Sequence, residues 1–140
     1  MLEILEQDGA DDLSEKSLPD DLQLEEDPKT RAAQMDRLER LVRGSRSWQA
    51  RRVAARVLGT SDELRVVPAL IFALSDEDPK VWQSARDGLR FISRKFDGMG
   101  LKAESGKPIP SRGAVTDAQK KWRAWYRTMN PKYVFLDYDL

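Results

Sequence analysis

The chain reads Trp48-Gln-Ala-Arg-Arg-Val-Ala-Ala-Arg-Val-Leu-Gly59 and, further on, Val81-Trp-Gln-Ser-Ala-Arg-Asp-Gly-Leu89. The apolar positions of the first segment recur 31 residues later, with Ala50, Ala54 and Leu58 aligning with Val81, Ala85 and Leu89. Each set has the spacing of one buried helix face. A period of this length, with another helix-forming segment between the two, is typical of stacked helical pairs. The sequence therefore predicts an all-α fold, a short solenoid of about five helices.

Start and stop signals divide the body of the chain into these helices. Asp27-Pro28 and Asp78-Pro79 each place an N-cap carboxylate before a proline that fits the first helical turn. Ser47 is the predicted N-cap of the helix that contains Ala54, and Gly44 and Gly59 are the predicted helix ends. Each helix is thus bounded by residues whose side chains or backbone suit a helix terminus.

Other motifs predict three less regular boundaries. Thr60-Ser-Asp-Glu63 and Thr116-Asp-Ala-Gln119 have the spacing of capping boxes, which predicts helix starts at both places. Gly98 and Gly100 are expected to end the helix that follows Asp78-Pro79. The predicted organisation is an acidic leader over residues 1–27, helical repeats over 28–97, a Gly/Pro/Lys loop over 98–115, a displaced aromatic closing helix over 116–130 and an apolar tail over 131–140.

The formal net charge of zero conceals two oppositely charged parts. Residues 1–27 contain eleven Asp and Glu against the single Lys16, whereas residues 28–140 are strongly basic. The leader has no aromatic residue, so a flexible, solvated tail is expected on composition. The alternative is that the leader docks on the basic body or on a partner through Leu22 and Leu24.

Residue types exclude several function classes. The chain has no Cys and no His, which removes disulfides, thiolate chemistry and the commonest metal ligand and general base. We therefore expect no catalytic residues, no metal site, no cofactor and no enzymatic activity. No apolar run approaches the roughly 20 residues needed to span a bilayer, and the acidic start is unlike a secretory signal, so a cytoplasmic location away from membranes is expected.

The run from Val66 to Leu89 resembles the HEAT-repeat family, including the short bacterial repeats related to those of phycobilisome lyases. It contains a Pro-Ala-Leu-Ile element, an Ala-Leu pair, the Asp-rich turn Asp76-Glu-Asp78 and a Val-x-x-x-Ala helix start. The resemblance covers residues 46–97 well and 28–44 loosely. It implies a protein-binding function and an Arg that braces the turn acids, a role that it gives to Arg51. The aligned position in the next unit is Trp82, which departs from the family pattern.

Three residues are the predicted partner-binding site. In a HEAT-like stack the second helix of a pair lines the concave surface, and Arg65 and Phe72 lie there, away from the predicted core stripe. Trp82 points about 100° from the centre of its core face, because it follows Val81 directly on the helix. As an exposed aromatic residue it would be a binding anchor; the alternative is that it packs against a neighbouring helix or the leader.

Arginine is dense between Arg37 and Arg65, and two interpretations remain open. The arginines can form surface ion pairs at helical spacing, or they can form a stripe that binds the phosphates of a nucleic acid. The first is favoured, because the acidic leader opposes non-specific phosphate binding. The expected function is thus a non-catalytic scaffold or adaptor that binds a protein partner, with self-association or membership of a larger assembly open, and nucleic-acid binding as the alternative.

Overall fold

The computed structural model describes residues 2–6, 22–95, 99 and 111–135. Within them the chain is all-α, as predicted. The helices are α1 (Leu2–Glu6), α2 (Pro28–Gly44), α3 (Trp48–Gly59), α4 (Val67–Ala73), α5 (Pro79–Ser93) and α6 (Arg112–Met129), and a 3-10 turn over Leu64–Val66 leads into α4.

Packing contacts connect all the helices from α2 to α6. α3 packs most extensively against α5, and α2 against α3; α4 contacts α2, α5 and α6. Ala54 on α3 and Ala85 on α5, which the 31-residue spacing makes equivalent, are both completely buried. Helices approach closely where their facing residues are small, so these alanines allow α3 and α5 to share one core.

The turns before α3 and α5 repeat the same hydrogen bonds. The N-cap Ser47 accepts from the backbone N–H of Ala50, and its own N–H donates to Oγ of Ser45 at 3.1 Å. Asp78 accepts in the same way from the N–H of Val81, and its N–H donates to Oδ1 of Asp76 at 2.9 Å. Both pairs are 31 residues apart, so the period extends from the apolar face to the turn that precedes it.

Two arginines of α3 hold the turn before α5. Nε of Arg51 donates to Oδ2 of Asp76 at 2.8 Å, and Nη1 donates to the carbonyl of Ser45 at 2.9 Å. Arg52 forms a two-pronged pair with Asp78, with Nε–Oδ1 and Nη2–Oδ2 distances of 2.8 and 2.9 Å. The expected bracing role of Arg51 is therefore present, and Arg52 adds a second brace.

The Asp78 pair predicts a specific pH dependence of stability. Burial alone would raise the pKa of Asp78, but hydrogen bonds from Arg52 and the Val81 N–H outweigh it and hold the pKa below its ordinary value. A carboxylate with a lowered folded-state pKa stabilises the fold above its unfolded-state pKa and loses that contribution on acidification. We expect Asp78→Asn, which keeps a capping oxygen but loses the charge, to cost about 1–3 kcal/mol at neutral pH.

The measurement is urea unfolding of both proteins from pH 7 to pH 2. The difference in unfolding free energy should stay constant down to about pH 4 and shrink below it, as Asp78 protonates in the wild type. Asp27→Asn is the matched control, because Asp27 caps α2 before a proline but is solvent-exposed and pairs with Thr30. Equal losses in the two variants would contradict a stabilising role for the Arg52 pair.

The capping residues predicted at Asp27, Ser47 and Asp78 are confirmed, but both predicted capping boxes are wrong. Thr60 and Ser61 bond back to carbonyls at the end of α3, and Glu63 caps nothing and instead pairs with Arg31 at 2.8 Å. The last helix begins at Arg112, with Ser111 as its N-cap, rather than at Thr116. Thr116 lies inside the helix and donates to the carbonyl of Arg112.

The helix after Asp78-Pro79 also ends earlier than predicted. Its last residue is Ser93, and Arg94 follows in the left-handed region with φ of 62°. Gly98 and Gly100, the predicted stops, lie outside the described residues, as do Phe96 and most of the predicted 98–115 loop. An ion pair from Arg94 to Asp62, with a 3.2 Å Nη2–Oδ2 distance, favours this conformation in place of a glycine.

The described parts of the acidic leader are packed against the body, contrary to the expectation of a solvated tail. Leu2 and Leu5 on α1 are 4% and 1% exposed, and Leu22 is also buried. Leu24 packs partly against the same core, and the N–H of Glu25 donates to Oε1 of Gln34 at 2.8 Å. The alternative interpretation, docking on the basic body, describes these residues better; residues 7–21 lie outside the described structure.

Candidate protein-binding surface

Arg65 lies on the 3-10 turn that leads into α4, and it faces α2. Its Nη2 donates to Oδ1 of Asp36 at 2.6 Å and to Oε1 of Glu39 at 3.1 Å, and its Nε donates to the same oxygen of Glu39. The Arg65 side chain remains 37% exposed. The guanidinium thus joins α2 to α4 and still reaches solvent at one edge.

Burial and pairing act in opposite directions on these charges. Burial raises the pKa of Glu39 above its ordinary value, and the attraction of Arg65 only partly offsets this. Burial would lower the pKa of Arg65, but the hydrogen bonds from its guanidinium to Asp36 and Glu39 raise it instead. Burial disfavours the charged form of Glu39, and Arg65 offsets part of this effect. Removing Arg65 would therefore leave the carboxylates of Asp36 and Glu39 next to each other without its positive charge.

Phe72 lies on α4 two helical turns after Arg65 and so shares a face with it. Its ring is half-buried, and Cζ of Arg43 on α2 lies 5.4 Å from the ring centroid. Arg65 and Phe72 are therefore brought together on the surface that α2 and α4 form. We call this the α2–α4 face: Asp36, Glu39, Arg43, Arg65 and Phe72.

Trp82 does not belong to this face and is not an exposed anchor. It is 5% exposed, and Cζ of the buried Arg86 lies 5.3 Å from the centroid of its ring. Its indole Nε1 is buried without a hydrogen-bond partner in the described part of the chain. Trp82 is therefore packed inside the structure, as the alternative interpretation stated, although it lies beside the core face of α5 and not on it.

At least four of the eight arginines in the predicted stripe form ion pairs between structural elements. In addition to the Arg51, Arg52 and Arg65 pairs, Nε of Arg37 donates to both carboxylate oxygens of Glu6 at 3.1 Å. These pairs join α3 to the turn before α5, the turn before α4 to α2, and α2 to α1. An arginine that is held between two structural elements has fewer donors left for a phosphate, so these four arginines are less suited to phosphate binding than free ones would be.

A second surface feature was not anticipated from the sequence. A cleft of about 420 Å³ lies between α3 and α5, and its lining is Arg56, Gly59, Thr60, Ser84, Asp87, Gly88 and Phe91. Phe91 is 44% exposed, and Arg94 stacks on its ring. A glycine inside the helical pattern, Gly88, was the available signal, because such a glycine often marks a close backbone approach.

The aromatic residues of α6 pack inwards, as the closing-helix prediction requires. Trp122 is completely buried, and Trp125 meets it edge to face with centroids 5.7 Å apart. Tyr133 and Phe135 fold back against Tyr126, at centroid distances of 5.1 and 6.0 Å. This part of the apolar tail therefore covers α6, while residues 136–140 lie outside the described structure.

No protein-family model, curated protein or solved structure matches the chain. Within the described residues, no helix is both long and apolar enough to cross a membrane. The same part of the chain contains no cluster of acidic side chains suited to a metal ion. Function must therefore be inferred from the surfaces themselves.

Proposed function

We propose that this protein is a non-catalytic adaptor that binds a protein partner through the α2–α4 face. The observation that carries the proposal is the pairing of a half-buried aromatic ring, Phe72, with a partly exposed guanidinium, Arg65, on one surface. Aromatic and arginine side chains dominate the energetics of protein interfaces. Here α2 and α4 hold both side chains in place, so little conformational entropy would be lost on binding.

The helix arrangement supports a solenoid of the HEAT type. The α2–α3 and α4–α5 pairs have equivalent buried alanines, and the same turn hydrogen bonds precede α3 and α5. In this interpretation α2, α4 and α6 form one layer and α3 and α5 the other. This makes α4 the first helix of its pair, so Arg65 and Phe72 lie on the layer of first helices and not on the concave layer of second helices that the sequence predicted. Stacked helical pairs present long continuous faces, and such faces are typically used to bind other proteins. The α2–α4 face is one of these.

Composition supports the non-catalytic part of the proposal. A chain without Cys and His would need carboxylates, Lys, Tyr or Ser alone for chemistry. The acids on the α2–α4 face, Asp36 and Glu39, are occupied by Arg65. They are better explained as supports for the guanidinium than as an acid–base pair.

The test uses four immobilised proteins: the wild type, Phe72→Ala, Arg65→Ala and Phe91→Ala. Proteins captured from an extract of the source cells are identified by mass spectrometry, and the affinity of a stoichiometric partner is then measured by calorimetry. We expect Phe72→Ala and Arg65→Ala each to weaken binding at least about tenfold. Phe91→Ala is the matched control, because Phe91 also stacks with an arginine but lies at the α3–α5 cleft.

Three outcomes would overturn the proposal. Full affinity in both α2–α4 variants would reject the face, and loss of affinity in Phe91→Ala alone would assign binding to the cleft. Capture of nucleic acid instead of protein, with an affinity that falls steeply between 50 and 200 mM salt, roughly 10³-fold or more for six phosphate contacts, would replace the adaptor by the nucleic-acid alternative. Thermal melts of each variant show whether the fold is intact.

A further inference from the structure

The body of the protein already holds one short amphipathic segment, α1. This helix contacts both α2 and α3. Its two leucines, three positions apart, are buried to 4% and 1% exposure at Leu2 and Leu5. Residues three apart on a helix lie on one face, so a single face of α1 supplies both anchors. We call the surface of α2 and α3 that receives them the α1 groove.

A charge contact fixes the end of the segment. Glu6 follows Leu5 directly, and its carboxylate accepts hydrogen bonds from Nε and Nη2 of Arg37 on α2. The two side chains are 33% and 30% exposed. An ion pair of this exposure contributes little affinity, but it sets the direction in which the segment lies.

The groove, rather than the segment, determines the helical structure. Helices of five residues are not stable alone in water, because nucleation costs more than one turn of hydrogen bonds returns. α1 is therefore ordered by the surface on which it lies. A surface that orders one short segment through two leucines and a carboxylate can order another with the same chemistry.

We propose that the α1 groove is a second binding site, for a partner segment that carries two leucines three residues apart followed directly by a carboxylate. α1 is then an intramolecular competitor that the partner must displace. Tethering gives α1 an effective concentration of the order of millimolar, so an outside segment binds measurably only when α1 is weakened or the partner is abundant. This site is separate from the α2–α4 face and does not depend on Phe72.

The experiment uses the full chain and a fluorescein-labelled peptide with the sequence of residues 1–12. Binding is measured by anisotropy to the wild type and to the Leu2→Ala/Leu5→Ala double variant, in which the competitor is weakened and the groove is unchanged. We expect the double variant to bind the peptide at least tenfold more tightly than the wild type. A peptide with both leucines replaced by alanine keeps every charge and should not bind.

Charge reversal tests the direction of docking. Adding Arg37→Glu to the double variant should weaken the wild-type peptide about threefold, and a peptide with Glu6→Arg should then bind this receptor better than the wild-type peptide does. If the double variant fails to fold by circular dichroism, the single variant Leu5→Ala serves as the receptor, because it removes one of the two buried anchors of α1 and leaves the groove unchanged.

Three results would overturn the proposal. The first is a folded receptor variant that binds the peptide no better than the wild type. The second is equal binding of the leucine and alanine peptides. The third is a wild-type dimer on size exclusion that dissociates in the double variant, because this would assign the groove to α1 of a second copy rather than to a different partner. None of these measurements involves Arg65 or Phe72, so failure here leaves the α2–α4 proposal unaffected.

Discussion

Trp122→Ala is expected to lower the unfolding free energy by about 3–5 kcal/mol, the usual cost of removing a large buried aromatic side chain. Trp122 is completely buried on α6, the helix that covers α4. The amide of Gln119, one turn earlier, donates to the carbonyl of Ile71 at 3.0 Å and fixes the same contact. For a chain of this size we expect a melting temperature lower by about 10 °C or more.

Two further variants distinguish packing from other effects. Trp125→Ala should cost clearly less, because Trp125 is only half-buried and meets Trp122 by an edge. Trp122→Phe should also cost less, because Nε1 of Trp122 has no hydrogen-bond partner in the described structure and its loss removes an unpaired donor. Thermal and urea unfolding by circular dichroism measure all three. If Trp122→Ala and Trp125→Ala lower the unfolding free energy by the same amount, α6 does not pack on α4 through the buried Trp122.

The repeat core could be predicted because its signals are local or strictly periodic. Ala54 and Ala85 belong to two helix faces with the same spacing, and the structure buries both completely. The N-caps at Asp27, Ser47 and Asp78 depend on a side chain that bonds two or three residues ahead, within the same short segment. Such features require no knowledge of the rest of the fold.

Boundaries that depend on tertiary contacts could not be predicted in the same way. Thr60-Ser-Asp-Glu63 has the spacing of a capping box, yet Glu63 pairs with Arg31, which lies 32 positions earlier in the chain. The end of α5 at Arg94 is favoured by a pair with Asp62, also 32 positions away. In both places a contact between residues far apart in the chain affects the helix boundary, and the sequence does not show that these residues are adjacent.

The candidate site was predicted in part. Arg65 and Phe72 share a surface, as the helical spacing indicated. Their contacts on α2 were not foreseen, because the Arg65–Asp36 pair joins residues 29 positions apart. The prediction that Trp82 is an exposed anchor was wrong. Its angle from the core face of α5 indicates the direction of the side chain but not which other parts of the protein cover it. The docking of α1 was missed because two leucines in an acidic leader are too few to predict a core contact.

The second large effect on stability is expected for Gly88→Ala. Gly88 lies on α5 at a close contact with α3, and the packing of the two repeats depends on this contact. A Cβ added at Gly88 would lie 2.5 Å from Cα of Gly59 and 3.1 Å from a methyl carbon of Leu70. The first atom is backbone and cannot rotate away, so α3 and α5 would have to separate. Overpacking of this kind costs about 1–3 kcal/mol, and occasionally more.

Helix propensity alone gives the opposite expectation, which makes Gly88→Ala informative. Alanine is better than glycine in a helix interior by about 1 kcal/mol, so a net loss can come only from the close approach. We expect a net loss of about 1–2 kcal/mol in urea unfolding, the upper part of the overpacking cost after the gain in helix propensity is subtracted. Gly113→Ala is the matched control, because Gly113 lies in α6 with nothing within 4 Å of an added Cβ.

The control variant should be neutral or slightly more stable, since alanine restricts the unfolded chain and clashes with nothing at that position. Gly88→Ala should also change the shape of the cleft between α3 and α5, because Gly59, Gly88 and Phe91 line it together. If Gly88→Ala proves as stable as Gly113→Ala, α3 and α5 do not meet at these glycines. The shared core around Ala54 and Ala85 would then need a different helix crossing, and the layered arrangement proposed above would lose its main packing contact.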